Sequence, residues 1–275
     1  MADCDRTLYA KYSVWHQLTT LMSRRGCQYQ IPKLPKYPKA DFTPYIFTQE
    51  QMDAIFAACD AYRLYDVRMG TSLIAMPVLL RMLYGTGARI SEALSIVNED
   101  VHLDEGYIHL KKTQNGTERI VPVSTSLYGI LSEYLMYRDR MPIAGISAPK
   151  HAFFVKVDGT TFNASAVYQF FRKLLDQCGI PFKGNHHGPR VHDLRHTFAV
   201  HSLVQMEHNG VDLYTGLPIL SACLGHHSLS STEQYVRLTY AMYPELQRHC
   251  SPINAFVYPK LCKAYDNSDR LCQTT

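Results

Sequence analysis

The sequence predicts an α+β fold that is mostly α-helical, with one small three-stranded antiparallel sheet. Three observations predict it. Apolar residues recur at helical spacing on both sides of a single interruption. Within the interruption, strand-length runs at 101–103, 107–112 and 119–123 are separated by the turn sequences Asp104-Glu-Gly106 and Gln114-Asn-Gly116. Helices, then a little sheet, then helices again is the order of an α+β domain, not of an alternating α/β one.

The elements follow in order. Residues 7–25 carry a helical stripe of Leu8, Tyr12, Trp15, Leu18 and Met22, closed by Gly26. Pro32, Pro35 and Pro38, interleaved with Lys33, Lys36 and Lys39, then forbid helix and favour extended backbone, as a semi-rigid linker would. Thr48 and Gln51 form a capping-box pattern opening a helix to about 61. A mostly apolar helix is expected at 72–83, with Pro77 kinking it or marking a later start, and Gly85-Thr-Gly87 breaking it. A short helix follows at 89–94. After the strands, the third of which Pro122 marks as an edge or an end, helices are expected at 126–138 and at 163–178, with a strand fragment at 153–157 between them. Pro189 precedes a partly buried helix through Leu194, Phe198, Val200 and Leu203. Further helices are read at 217–224, stopped by Gly225, then from the capping cluster Ser230-Ser231-Thr232, and from Pro244 to about 249. The organisation expected is a helix at 1–27, a linker at 28–44, a main domain at 45–250 and a tail at 251–275.

With 275 residues, 46% apolar and 19% charged, the chain has the make-up of a soluble globular protein with an ample core. It contains no run of about 18 apolar residues, so no membrane span is expected, and its first residues lack the apolar stretch of a secretion signal. Eight scattered cysteines without a Cys-x-x-Cys pair suit free thiols in the cytoplasm. The net charge is only +4, but residues 1–40 hold seven Lys or Arg against two Asp. Arg24, Arg25, Lys33, Lys36 and Lys39 make that arm either a contact for a polyanion or a solvated surface.

The chemistry concentrates between His192 and Tyr235. His192 and Arg195 are three apart and share a helix face. His226 ends Leu224-Gly-His, and Tyr235 follows nine residues later. A guanidinium grips phosphate oxygens in a fork, imidazoles donate hydrogen bonds, and a phenol can act as nucleophile. Each residue also has an ordinary reading. Arg89, in an apolar neighbourhood, needs a partner and has Glu92 three residues on, or else joins Arg195 in a phosphate clamp. Lys112 is a turn lysine of the kind that usually serves solvation. A helical tyrosine is usually packing. His192 and His196 are spaced for a metal, yet no carboxylate or cysteine completes a recognisable set, so neither metal nor other cofactor is expected.

Together these pieces have a familiar order. Tyr84-Gly-Thr-Gly-Ala-Arg89-Ile-Ser-Glu-Ala-Leu94, His192-x-x-Arg195, Leu224-Gly-His226 and Tyr235 resemble the box motifs of the tyrosine recombinases, the phage-integrase family, over roughly 44–248. The resemblance implies a catalytic domain that cleaves and rejoins double-stranded DNA, at the sites of a mobile element, through a 3′-phosphotyrosine and without metal or ATP. It implies Tyr235 as nucleophile, Arg89 and Arg195 on the nonbridging oxygens, His192 and His226 as donors to the same phosphate, and a hairpin lysine as general acid. Lys112 is preferred to Lys111 because Lys112-Thr113 looks most like the family's turn. It implies tetramers on paired sites and a helical core-binding region before the linker, here shortened to the helix at 7–25. The competing readings are topoisomerase IB-like relaxation, a non-catalytic DNA-binding remnant, and a histidine-based metal hydrolase.

Overall fold

The computed structural model describes residues 5–28, 30–37, 43–65, 74–113, 116–182, 184, 188–244 and 246. The chain divides into two compact units, Met1–Thr43 and Pro44–Thr275.

In the first unit, α1 (Asp5–Arg24) carries the expected stripe. Leu8, Tyr12, Trp15 and Leu18 are all exposed, Trp15 by 64%. Residues 30–37 form neither helix nor strand, as proline requires where it removes donors and fixes φ. Tyr37 packs edge-to-face on Tyr9, ring centroids 4.9 Å apart. Arg24, Arg25, Lys33 and Lys36 are exposed, while Lys39 lies outside the described residues.

The second unit opens with α2 (Gln49–Tyr65), whose capping box is complete. The Thr48 amide donates to Gln51 Oε1 at 3.1 Å and the Gln51 amide to Thr48 Oγ1 at 3.3 Å. The apolar helix α3 runs Met76–Thr86, with Pro77 in its first turn, where a missing N–H costs nothing. That is the later of the two starts open at Pro77; residues 66–73 lie outside the described part. Gly87 ends α3 in the left-handed region at φ +63° and donates its N–H to Leu83 O. Arg89 then caps the short α4 (Ile90–Leu94).

A 3-10 turn, Asn98–Asp100, leads into β1 (Val101–His102), β2 (Tyr107–Leu110) and β3 (Arg119–Pro122). Their order is β1-β2-β3, both pairs antiparallel, and Leu110 faces Arg119 across the second pair. Pro122 therefore sits on an edge strand, where its missing donor is tolerated. Ser124 caps α5 (Thr125–Arg138) and Asn163 caps α6 (Ala164–Gln177).

The strand fragment expected at 153–157 is absent; one isolated bridge, Val97 to Ala152, stands there instead. Side chains have taken up part of its backbone hydrogen bonding. Tyr134 Oη and Arg138 Nη1 both donate to the Phe153 carbonyl at 3.1 Å.

Three helices complete the fold: α7 (Asp193–His208), α8 (Leu213–Leu224) and α9 (Ser230–Met242). α8 starts before the expected 217 because the Asp212 carboxylate accepts from the Tyr214 and Thr215 amides. The cap expected from Ser230-Ser231-Thr232 does not form; Leu229 is the cap residue and provides no side-chain bond. Thr232 is engaged elsewhere, as described below. The helix expected from Pro244 falls almost wholly outside the described residues, and the tail at 251–275 entirely so. No described helix is long and apolar enough to cross a membrane.

Two apolar clusters hold this unit. The larger joins α2, α3, the sheet, α5 and α6 with Val191 and Leu194; the smaller is built by α7, α8 and α9 around Val200, Leu203, Leu217, Leu220 and Tyr235. α7 contributes to both, and Gly87 lies against it: a Cβ there would come within 2.4 Å of the Phe198 ring. Gly87→Ala therefore combines a positive φ with a collision. It is expected to destabilise the unit by at least about 2 kcal/mol, read from the urea midpoint by circular dichroism.

Candidate active site

Arg195 is the centre of the site. It sits in the first turn of α7, 3% exposed. A guanidinium this deep needs acceptors, and both come from helix C-termini. Nη1 donates to Gly87 O at 2.7 Å, at the end of α3, and Nη2 to Leu224 O at 2.6 Å, at the end of α8. These ends carry the negative pole of the helix dipole. Of the five N–H donors of a guanidinium, two are thus used and three remain for a ligand. Burial first, then the neighbouring Arg89 charge, push the Arg195 pKa down to about 10, so it stays charged at neutral pH.

Arg89 is held from the other side. Its Nη1 donates to Glu92 Oε1 at 2.9 Å and its amide to Glu92 Oε2 at 2.8 Å. The Glu92 carboxylate, 1% exposed, is also gripped bidentately by Arg119, through Nη1 at 3.0 Å and Nη2 at 2.7 Å. Arg119 in turn donates from Nε to Cys223 O at 2.8 Å, fastening β3 to α8. Burial opposes the charge on Glu92, but the hydrogen bonds from Arg119 and the Arg89 backbone outweigh it, and the pKa falls to about 2. The ion pair and the phosphate clamp read as alternatives for Arg89 are compatible, because Glu92 engages only one of its side-chain nitrogens.

Next to these cations lie three neutral histidines. His192 is the cap residue of α7 and keeps an exposed edge. Desolvation, then Arg195, Arg190 and Arg89, push its pKa down to about 4. His226 is pushed to about 4, by burial and then by Arg195. His226 Nδ1 bonds Thr232 Oγ1 at 2.8 Å. When that hydroxyl donates, Nε2 carries the proton and is left as a donor. This bond is where the Thr232 side chain goes instead of capping α9. His196, beside Arg195, is pushed to about 3, again chiefly by burial.

Tyr235 lies between two of these rings. It stacks on His226 with centroids 6.2 Å apart and an interplanar angle of 12°, and its hydroxyl meets His196 Nδ1 at 2.8 Å. It is 1% exposed, and burial raises its pKa although Arg195 and Arg89 pull the other way. The phenol is therefore protonated and buried.

Lys112 stands apart on the β2–β3 hairpin, exposed and with no partner among the described residues. Lys111 is occupied, reaching Asp100 at 2.6 Å and Glu99 at 3.3 Å. The fold thus brings Arg89, His192, Arg195, His226 and Tyr235 together and leaves Lys112 on an adjoining turn. The arm residues Arg24, Arg25, Lys33 and Lys36 belong to the other unit. Sequence reasoning missed Arg119 and the Tyr235 partner His196. Neither left a local signal, because each is set by a partner far along the chain, Arg119 by Glu92 and Cys223 and His196 by Tyr235. Among the described residues no group of three or more His, Cys, Asp or Glu is placed to hold a metal ion. A cavity of about 580 Å³ beside Tyr84, Phe198, His201, Gln205 and Tyr243 contains none of the five clustered residues.

Residues 46–242 match the phage integrase family. A putative integrase/recombinase (y4rB) of Sinorhizobium fredii is 29% identical over 222 residues, covering 80% of this chain and 70% of that protein. The tyrosine recombinase XerD of Oceanobacillus iheyensis is 28% identical, covering 78% of this chain and 65% of its own length. Among solved structures, XerH recombinase bound to palindromic difH in a post-cleavage complex superposes with TM-score 0.62 at 19% identity, over 91% of this chain and 71% of that one. A lambda integrase dimer on a COC′ core site gives 0.56 at 15% identity, over 82% and 70%.

The family match and the relatives are those of a DNA strand-transferring enzyme of the tyrosine class. The chain belongs to the phage integrase family, whose members include tyrosine recombinases. Site-specific DNA recombination is the activity this membership supports; none of these matches supports topoisomerase-like relaxation or a non-catalytic remnant.

Two pH effects follow from the site. Glu92 has its folded pKa depressed from 4.5 to about 2, so its stabilising share is full above about pH 4.5 and is lost as pH falls towards 2. The stability gap between wild type and Glu92→Gln should therefore shrink over that window in urea titrations. The three histidines, depressed from 6.5, bind protons more readily unfolded, so each should erode stability as pH falls below 6.5. In the folded protein all three rings should show no NMR titration between about pH 5.5 and 8.

Proposed function

We propose that the protein cleaves and rejoins double-stranded DNA with Tyr235 as nucleophile. The phenol oxygen attacks a backbone phosphorus and releases its proton to solvent, the bond to the 5′-oxygen breaks, and a 3′-phosphotyrosine forms. The reaction conserves a phosphoester, so reversal needs no ATP. Arg89 and Arg195 stabilise the charge that grows on the nonbridging oxygens, with the three unused donors of Arg195 available for them. His226, with Nδ1 bonded to Thr232, offers Nε2, and His192 offers its exposed edge. Lys112 gives its proton to the departing 5′-oxygen and takes it back on rejoining. Its freedom from the carboxylates that hold Lys111 supports this choice.

The observation that carries the reading is the convergence of Arg89, Arg195, two neutral imidazoles and Tyr235 on the joined ends of α3, α7 and α8. The arm cations Arg24, Arg25, Lys33, Lys36 and Lys39 contact phosphates outside the site, and the protein works in the cytoplasm as a tetramer on paired DNA sites, as its family does.

Nicked suicide substrates carrying candidate sites test the chemistry. Wild type should form a covalent adduct with or without chelator, and Tyr235→Phe none. Arg195→Ala should slow it by about 10²–10³. Lys112→Ala should be rescued by a 5′-thiolate leaving group, which needs no proton. An adduct through Tyr240 or Tyr243 would defeat the assignment.

A further inference from the structure

The Tyr235 hydroxyl has a partner that this mechanism leaves unused. His196 follows Arg195 directly, so α7 turns it about 100° away from the arginine and towards α9. The two side chains meet at 2.8 Å inside the α7–α9 core, where both are buried. No water competes for a bond this enclosed. The hydroxyl is committed to His196 inside this core, so an attack on a DNA phosphate requires that bond to break first.

We propose that His196 is a positioning residue that holds the Tyr235 hydroxyl withdrawn, and that breaking the His196–Tyr235 hydrogen bond precedes cleavage. The proposal rests on Tyr235 being the nucleophile. The surroundings agree with a holder and not with a base. Burial, His192 and Arg195 keep His196 neutral, with its pKa near 3, so in the tautomer protonated at Nε2 its Nδ1 accepts the phenolic hydrogen bond without removing the proton. Burial of Tyr235 favours the same protonated form. His192, whose ring centroid is 4.9 Å from that of His196 at 90°, connects the holder to the cationic side of the site. An anion arriving there would meet His192 and Arg195 first.

The test is nitration of tyrosines by tetranitromethane in the full-length, DNA-free protein, mapped by mass spectrometry. His196→Phe and His196→Ala both remove the acceptor, one keeping volume and one losing it. His196→Asn keeps it, since Oδ1 falls close to the position of Nδ1. Tyr235 should be labelled about 2- to 12-fold faster in the Phe and Ala variants, the range set by one lost hydrogen bond, and near the wild-type rate in the Asn variant. Tyr134, 2% exposed and bonded to the Phe153 carbonyl, serves as control and should not change. Adduct formation on the suicide substrate should quicken in the same two variants and return towards wild type in His196→Asn. Unchanged Tyr235 labelling without the acceptor, labelling that rises equally at Tyr134, or failure of the Asn variant to restore protection would each overturn the proposal. If wild type forms no adduct, the proposed function fails, and the labelling, done without DNA, still decides whether His196 holds the phenol.

Discussion

A single guanidinium removed from water fixes the geometry of this site. Arg195 is charged, almost wholly enclosed, and satisfied by the carbonyls of Gly87 and Leu224. Those carbonyls are free only because α3 and α8 end there, each leaving its last C=O groups without intrahelical partners. The arginine thus acts as a shared C-terminal cap for two helices while standing on a third. Each of the two glycines behind this arrangement, Gly87 and Gly225, adopts the left-handed conformation that lets its helix stop. At Gly225 a side chain would also press on Arg119, 3.0 Å from the site of a Cβ.

Charge balance explains the rest. Arg89, Arg119 and Arg195 bring three positive charges around one carboxylate, Glu92. Burial first, and then these neighbouring cations, keep the three histidines neutral. The proposed phosphate ligand would supply the missing negative charge. Glu92 fixes the position of Arg89 without neutralising the site, since Arg119 offsets its charge.

The helices and the sheet were legible because each depends on neighbours in sequence, and the clustered side chains were legible through the order of the motifs. Helical spacing, the Thr48–Gln51 box, the Asn163 cap and the glycine stops are all local signals. What failed was decided by distant groups. The segment at 153–157 could have paired as a strand, but Tyr134 and Arg138, on α5, compete for its backbone. Thr232 could have capped α9, but His226 claims its hydroxyl. Arg119 reads as an ordinary strand residue until β3 is seen against α8. The withdrawal of Tyr235 into the core follows from the packing of three helices, which no spacing in the sequence encodes.

The exposed stripe of α1 has a practical side. Trp15 is the only tryptophan of the chain and it stands in solvent. Its emission is already that of a hydrated indole, so melting of the enzyme's core would pass almost unseen by tryptophan fluorescence. The same ring is by contrast a native reporter for whatever comes to cover that helix.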